Sequence, residues 1–337
     1  MAYDYGYGEL GNQLVELFSS GPPDFDAAQK LIQQGADLNA AGNDQDENIL
    51  SEVLYGYRDN IAQDNACDDQ DNYEHFWDSE SDAGLFMCQI IRFFLNHGFD
   101  VNKFDGCYGA QCLYALTLST FDRSVIDAAK ILLDAGAKNR STSPDPAYDD
   151  QTPWSFMSIE TSYQSTCEHN FHLSNIYEAV CQIYYAAEKG INYSGIDSYE
   201  IAIGRKVLKI LAGNRGTQST FRRLSLPEFH SDNCFTENLY FVYNGGALVT
   251  TRYGEFWTNT ELPDDLIDIS DRFRSIIGSA IQEITYDCNT IVKGTHFYGQ
   301  PITTIEMSSG QQLIFSTNFG QADDENYAAY YEMISEG

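Results

Sequence analysis

An all-α solenoid of stacked helix pairs, followed by an α+β domain built from an antiparallel sheet and one amphipathic helix, is the fold class the sequence predicts. Three observations predict it: one apolar helical face is copied before successive glycines, long insertions separate the copies, and helical periodicity stops past Gly213. The 337 residues, 43% of them hydrophobic, are enough for two cores.

The copies come first, because a missed repeat misreads the whole fold. Behind Gly35, the positions three, four, seven and eight residues back are Ile32, Leu31, Ala28 and Ala27. Behind Gly98 they are Leu95, Phe94, Ile91 and Ile90, and behind Gly136 they are Leu133, Leu132, Ala129 and Ala128. Each set is one face of a helix, and each helix ends in the residue that adopts a left-handed conformation at no steric cost. "ADLN", "FDVN" and "AKNR" follow the three glycines. A weaker fourth copy ends at Gly190, with polar Gln182 at the eighth position.

The pattern resembles the ankyrin repeat, whose second helix ends in a Gly-Ala-Asp-Val-Asn-like segment. The family's Thr-Pro-Leu-His signature is matched best by "QTPWSF" at Thr152 and Pro153, and it is degraded to "NILSEV" and "AQCLYAL" elsewhere. The resemblance covers roughly residues 10–195 and implies an array of helix pairs with a concave protein-binding surface. Successive glycines lie 63, 38 and 54 residues apart, so the intervals exceed the family's period of about 33 and hold insertions.

The first insertion, 59–82, carries nine acidic residues and no Lys or Arg. Tyr73, Phe76 and Trp77 sit at its centre, beside Asp68, Asp69 and Asp71. A charge block reads as a solvated loop. The aromatics supply the competing reading, a binding finger, because Trp and Tyr are enriched at binding hot spots.

Past Gly213, "NLYFVYNGGALVTTRYGEFW" is an aromatic, β-branched hairpin pattern around Asn244-Gly245-Gly246. Leu266, Ile269, Phe273, Ile276, Ile277 and Ala280 have helical spacing after Pro263 and predict the amphipathic helix. "IQEITYD", "TIVKGTHF", "ITTIEM" and "QLIFST" read as strands, the last two joined at Ser308-Ser309-Gly310. The predicted domains are thus 1–200, helical repeats with the acidic insertion; 201–224, a basic linker helix and loop; and 225–337, the α+β domain. Residues 201–227 hold no Asp or Glu but six cations, Arg205, Lys206, Lys209, Arg215, Arg222 and Arg223. They fit a phosphate site or, in the plainer reading, a segment that docks on the protein's own acidic surface.

Other motifs lead less far. "GYGELG" at Gly6–Gly11 spells a dinucleotide fingerprint, but the buried strand and βαβ unit that such glycines serve are missing from the pattern, and a helix start is expected. Cys167, His169 and His172 are metal-capable residue types without the paired spacing of a structural zinc site. His97, just before Gly98, suits a helix C-terminus. No nucleophile elbow, P-loop or family-like catalytic cysteine occurs, so no enzyme and no cofactor is expected.

Charge sets the partner class. Fifty acidic against 19 basic side chains give a net charge of -31, which repels nucleic acid and anionic membranes and attracts basic proteins. The start "MAYDYGYGEL" has no secretory pattern, and no apolar run approaches the roughly 20 residues of a membrane span. A cytoplasmic protein with reduced cysteines is expected. The sequence therefore predicts a module that binds a basic protein, and in character it is similar to bacterial immunity proteins that neutralise basic toxin domains. A pocket for a small ligand or an enzymatic activity in the C-terminal domain is the alternative.

If 59–82 is a binding finger, its two contributions separate kinetically. Asn at positions 68, 69 and 71 should slow association and flatten its salt dependence, because exposed charge is screened beyond roughly 8 Å at physiological ionic strength. Trp77→Ala should instead speed release, since an aromatic anchor is worth about 2–4 kcal/mol. Unchanged affinity for a captured partner after deletion of 59–82 would leave only the solvated loop.

Overall fold

The computed structural model describes residues 4–19, 23–42, 48–56, 82–103, 112–113, 116, 123–138, 171–213, 221–222, 234–235, 238–250, 256–287, 302–319 and 328–335. The chain divides into two compact units, Met1–Ser194 and Gly195–Gly337. The first is helical: α1 (Gly8–Ser19), α2 (Phe25–Gln33), α3 (49–56), α4 (Asp82–Asn96), α5 (Ser124–Asp134) and α6 (Phe171–Glu188). The second holds twelve described strands in two antiparallel six-stranded sheets.

The solenoid fold class is therefore corrected: the chain is an α+β fold. A solenoid repeats a whole unit against like neighbours. In this chain the helix-end segment is what recurs, at uneven intervals, and the described residues from Gly195 onward are built mainly on two sheets.

Helix burial in the first unit follows from apolar spacing. Ile90, Ile91 and Phe94 of α4 and Ala128, Ala129 and Leu132 of α5 are fully buried where the helices pack. Leu95 and Leu133, one position further round, are only half-buried. Where α4 meets the first two helices, the core is aromatic. Phe18 of α1 contacts Phe25, Phe93 and Phe94 at centroid distances of 5.8, 6.0 and 5.7 Å.

The first sheet has the order β1-β7-β6-β5-β2-β8, using β1 (Ile196–Ser198), β2 (Lys209–Ala212), β5 (Leu239–Tyr243), β6 (Gly246–Thr250), β7 (Phe256–Asn259) and β8 (Ile267–Asp268). The second has the order β3-β4-β12-β11-β10-β9, using β3 (Phe221–Arg222), β4 (Cys234–Phe235), β9 (Ile281–Asp287), β10 (Ile302–Met307), β11 (Gln311–Phe319) and β12 (Ala328–Ser335). The expected hairpin forms, with Tyr243 paired to Gly246 and Gly245 at φ +100° supplying the left-handed turn residue. The second hairpin turns at Ser308–Gly310, pairing Glu306 with Gln312. "TIVKGTHF" lies outside the described residues.

The sheets meet through aromatic side chains. Phe315 of β11 lies 6.2 Å from Phe241 of β5 and 5.9 Å from Phe256 of β7, and Phe241 also meets Phe273 at 6.5 Å. On the opposite face of the first sheet, Leu211, Val242 and Ala247 are covered by Leu262 and Leu266. Strand β6 is consequently buried at all five positions.

Two local expectations fail in this unit. The amphipathic helix at 263–280 is replaced by β8, a 3-10 turn at Ser270–Phe273 and further turns to Gly278. Its backbone finds partners elsewhere: Ile269 N–H donates to Ile210 O, Gly278 N–H to Val207 O, and Val207 N–H to Ser279 O. The described residues of 201–224, namely 201–213 and 221–222, do not form a linker helix either, because they contain β2, an interior strand of the first sheet, and β3. Apolar spacing alone does not distinguish a helix from turns whose backbone is taken up by a neighbouring strand.

Phe94→Ala should lower stability by about 3–5 kcal/mol, read from a denaturant or thermal melt, because a fully buried ring inside an aromatic cluster is removed.

Candidate functional site

The helix ends of the first unit form a row of equivalent turns. Gly35, Gly98, Gly136 and Gly190 have φ of +110°, +87°, +87° and +67°. In each copy the glycine N–H reaches the carbonyl three residues back, and the following N–H reaches the carbonyl five residues back: Ile32 and Leu31, Leu95 and Phe94, Leu133 and Leu132, Ala187 and Ala186. This is the glycine-ended helix cap that the sequence pattern implies. The copy at Gly190 has it too.

Asparagine side chains then tie one turn to the next. Asn39 Nδ2 donates to Gly98 O at 3.0 Å, and its Oδ1 accepts from Asp100 N–H at 2.8 Å. Asn102 repeats both bonds on Gly136 O and Lys138 N–H, each at 2.8 Å. Within the turns, Asp37 Oδ1 accepts from Asn39 N–H, Asp100 Oδ1 from Asn102 N–H, and Asn192 Oδ1 from Ser194 N–H. The row continues differently at its far end, where Tyr193 donates to Asp134 at 2.8 Å and Lys130 Nζ to Ser194 O at 3.1 Å. Burial and the Asp134 contact push the Tyr193 phenol up to about 12. The exposed charged side chains of the row are of both signs, Asp37, Asp100 and Asp134 beside Lys103, Lys138 and Lys189.

A second feature of this unit is an open groove of about 900 Å³ along α1 and α2. Gln13, Glu16 and Leu17 line it from α1, and Ala27, Lys30 and Leu31 from α2. In the second unit, exposed Ile203, Arg205, Lys206, Leu208 and Lys209 make a basic and apolar stretch leading into β2. Asp268 lies close enough to Lys209 to feel its charge, although Ser270 is the main cause of that carboxyl's lowered pKa. Burial raises the pKa of Tyr199 and Tyr243, so neither phenol is activated.

Asp68, Asp69, Asp71, Tyr73, Phe76 and Trp77 lie outside the described residues, as do Cys167 and His169, while His172 falls in the first turn of α6. Among the described residues no group of His, Cys, Asp and Glu is arranged to hold a metal ion. Cys88, Cys112 and Cys181 are buried free thiols. Burial pushes Cys112 up to about 12, and its Sγ donates to Asn48 Oδ1, which also accepts from Ser51 N–H and Oγ–H at the start of α3. Such a thiol is structural. His97 Nδ1–H donates to Phe93 O at 2.8 Å, a helix-end contact that fixes the tautomer because a carbonyl only accepts.

In "GYGELG", Gly6 and Gly8 take left-handed φ of +89° and +76°, and Gly11 serves packing. A Cβ on Gly11 would fall 2.6 Å from Tyr7 Cβ, and one on Gly42 would fall 2.9 Å from Tyr7 Oη, so both glycines make room for the Tyr7 side chain. Sequence reasoning missed the asparagine bridges, although their signal was present in the Asn that follows Gly35 and Gly98 at the same distance.

Among the described residues no helix is long and apolar enough to cross a membrane. Asn102→Ala removes both bonds to the next turn and should cost about 1–3 kcal/mol in a denaturant melt, with hydrogen exchange accelerating first at Gly136–Lys138. No protein-family model, curated protein or solved structure matches the chain.

Proposed function

We propose that the protein is an interaction module for a basic protein partner, acting by binding and not by catalysis. The observation that carries this reading is the asparagine-bridged row of turns, which holds exposed Asp37, Asp100 and Asp134 on a backbone whose spacing is set by hydrogen bonds. A rigid scaffold presenting side chains from its turns loses little entropy on binding. Carboxylates in a chain of net charge -31 attract a positively charged surface and speed encounter with it. The finer form of the proposal is an immunity-type inhibitor that holds a basic toxin domain. The buried, reduced thiols fit a cytoplasmic setting for it.

Capture with the whole chain from the lysate of its native cell tests the reading. One basic protein should be enriched in stoichiometric amount, and its release should accelerate as salt rises. Asp37→Asn with Asp100→Asn should weaken that complex by about tenfold while leaving the melt nearly unchanged, because the amide Oδ1 keeps the turn hydrogen bonds and the charge that attracts a basic partner is removed. Failure to enrich any basic protein would remove the proposal.

A further inference from the structure

The groove along α1 and α2 has a counterpart elsewhere in the same unit. Counting back from the helix-ending glycines, Leu31, Lys30 and Ala27 stand four, five and eight residues before Gly35, where Phe94, Phe93 and Ile90 stand before Gly98. Phe93 and Phe94 are the residues with which α4 packs on Phe18, and Phe93 also meets Phe25 at 5.4 Å. Ile90 and Phe94 are fully buried. In the first copy the same three positions line the open groove, with Leu31 and Ala27 half-buried and Lys30 exposed. Among the described residues, the face that joins one helix pair to the preceding pair is thus left open at the start of the row.

The two walls of the groove match each other in order. Gln13, Glu16 and Leu17 occupy one stripe of α1, and Ala27, Lys30 and Leu31 occupy one stripe of α2, each at spacings of three and one. Each wall therefore presents a small or polar residue, then a charge, then a leucine, and the two charges have opposite sign. Among the described residues neither the Glu16 nor the Lys30 side chain has an ion-pair or hydrogen-bond partner. A surface with one acid and one base on facing walls is self-complementary under a two-fold axis, where residue i meets j and j meets i.

We infer that this groove is a self-association surface: two chains pack α1 and α2 against the same helices of a second copy, with Glu16 meeting the partner's Lys30 and Leu17 meeting the partner's Leu31. Ala27 lets the helices approach closely. The position that is Phe93 in the buried copy is Lys30 here, so the end face is built for a charged neighbour and not for another identical repeat. Repulsion between two chains of net charge -31 is screened beyond roughly 8 Å at physiological ionic strength, which sets the condition for observing the pair.

Sedimentation equilibrium of the full chain at about 0.15 M salt tests this directly. The expected result is a reversible species of twice the 37.9 kDa chain mass. Leu31→Arg should abolish it. Glu16→Lys and Lys30→Glu should each weaken it by about tenfold or more, because each places like charges together at both symmetric positions. The double variant Glu16→Lys/Lys30→Glu should regain most of the lost affinity, since the reciprocal pairing is restored. That rescue separates pairing from misfolding, and an unchanged thermal melt of Leu31→Arg provides the fold control. A chain that stays monomeric as concentration rises, a dimer indifferent to Leu31→Arg, or a double variant no tighter than either single one would overturn the inference and leave the groove to another occupant.

Discussion

The amide side chain of Asn39 accepts one backbone hydrogen bond and donates another, both to the turn around Gly98. That pair of bonds, repeated by Asn102 at Gly136, sets the offset between successive helix ends in the first unit. With the offset set, α4 lays Phe93 against Phe25 and both Phe93 and Phe94 against Phe18. Asparagine suits the position because one short, planar group carries a donor and an acceptor side by side. An aspartate would lose the donor, and a leucine of similar shape would leave the Gly98 carbonyl and the Asp100 N–H without their partner.

The second unit depends on the same kind of long-range closure, made by backbone instead of side chain. The segment 204–208 exchanges hydrogen bonds with 278–281, through Gly204 with Ile281, Val207 with Ser279, and Ile281 with Arg205. It runs directly into β2, while 281 begins β9, so these bonds join the start of a strand in each sheet. Phe315 then fills the space between Phe241 and Phe256. Within this stretch Arg205, Lys206, Leu208 and Lys209 are exposed, while Val207 between them is buried.

Charge and fold are nearly independent in this molecule. The core of both units is apolar and aromatic, with few polar side chains among the buried residues, and those form specific bonds such as the Asn48–Ser51–Cys112 cluster. Some of the described carboxylates sit at turns and helix starts, where Asp24 caps α2 through Ala27 N–H and Asp37 and Asp100 hold the turns. These acidic residues thus have a local structural use.

What the sequence by itself determined are the features with local causes. The four helix ends follow from glycine and its left-handed φ, and the two hairpins from Asn244-Gly245 and Ser308-Ser309-Gly310 between alternating runs. The burial of positions 28, 91 and 129 follows from helical spacing. Only the tertiary structure decided which segments would share backbone partners. Residues 263–280 have helical spacing, yet β2 and the 204–208 segment take up their N–H and carbonyl groups and a helix does not form. Tyr7 settles against Gly11 and Gly42, and Glu16 and Lys30 come to line one groove, through packing between elements that no local pattern encodes. A periodicity states which side of a segment seeks cover; the covering partner is a distant part of the chain, chosen by the free energy of the whole core.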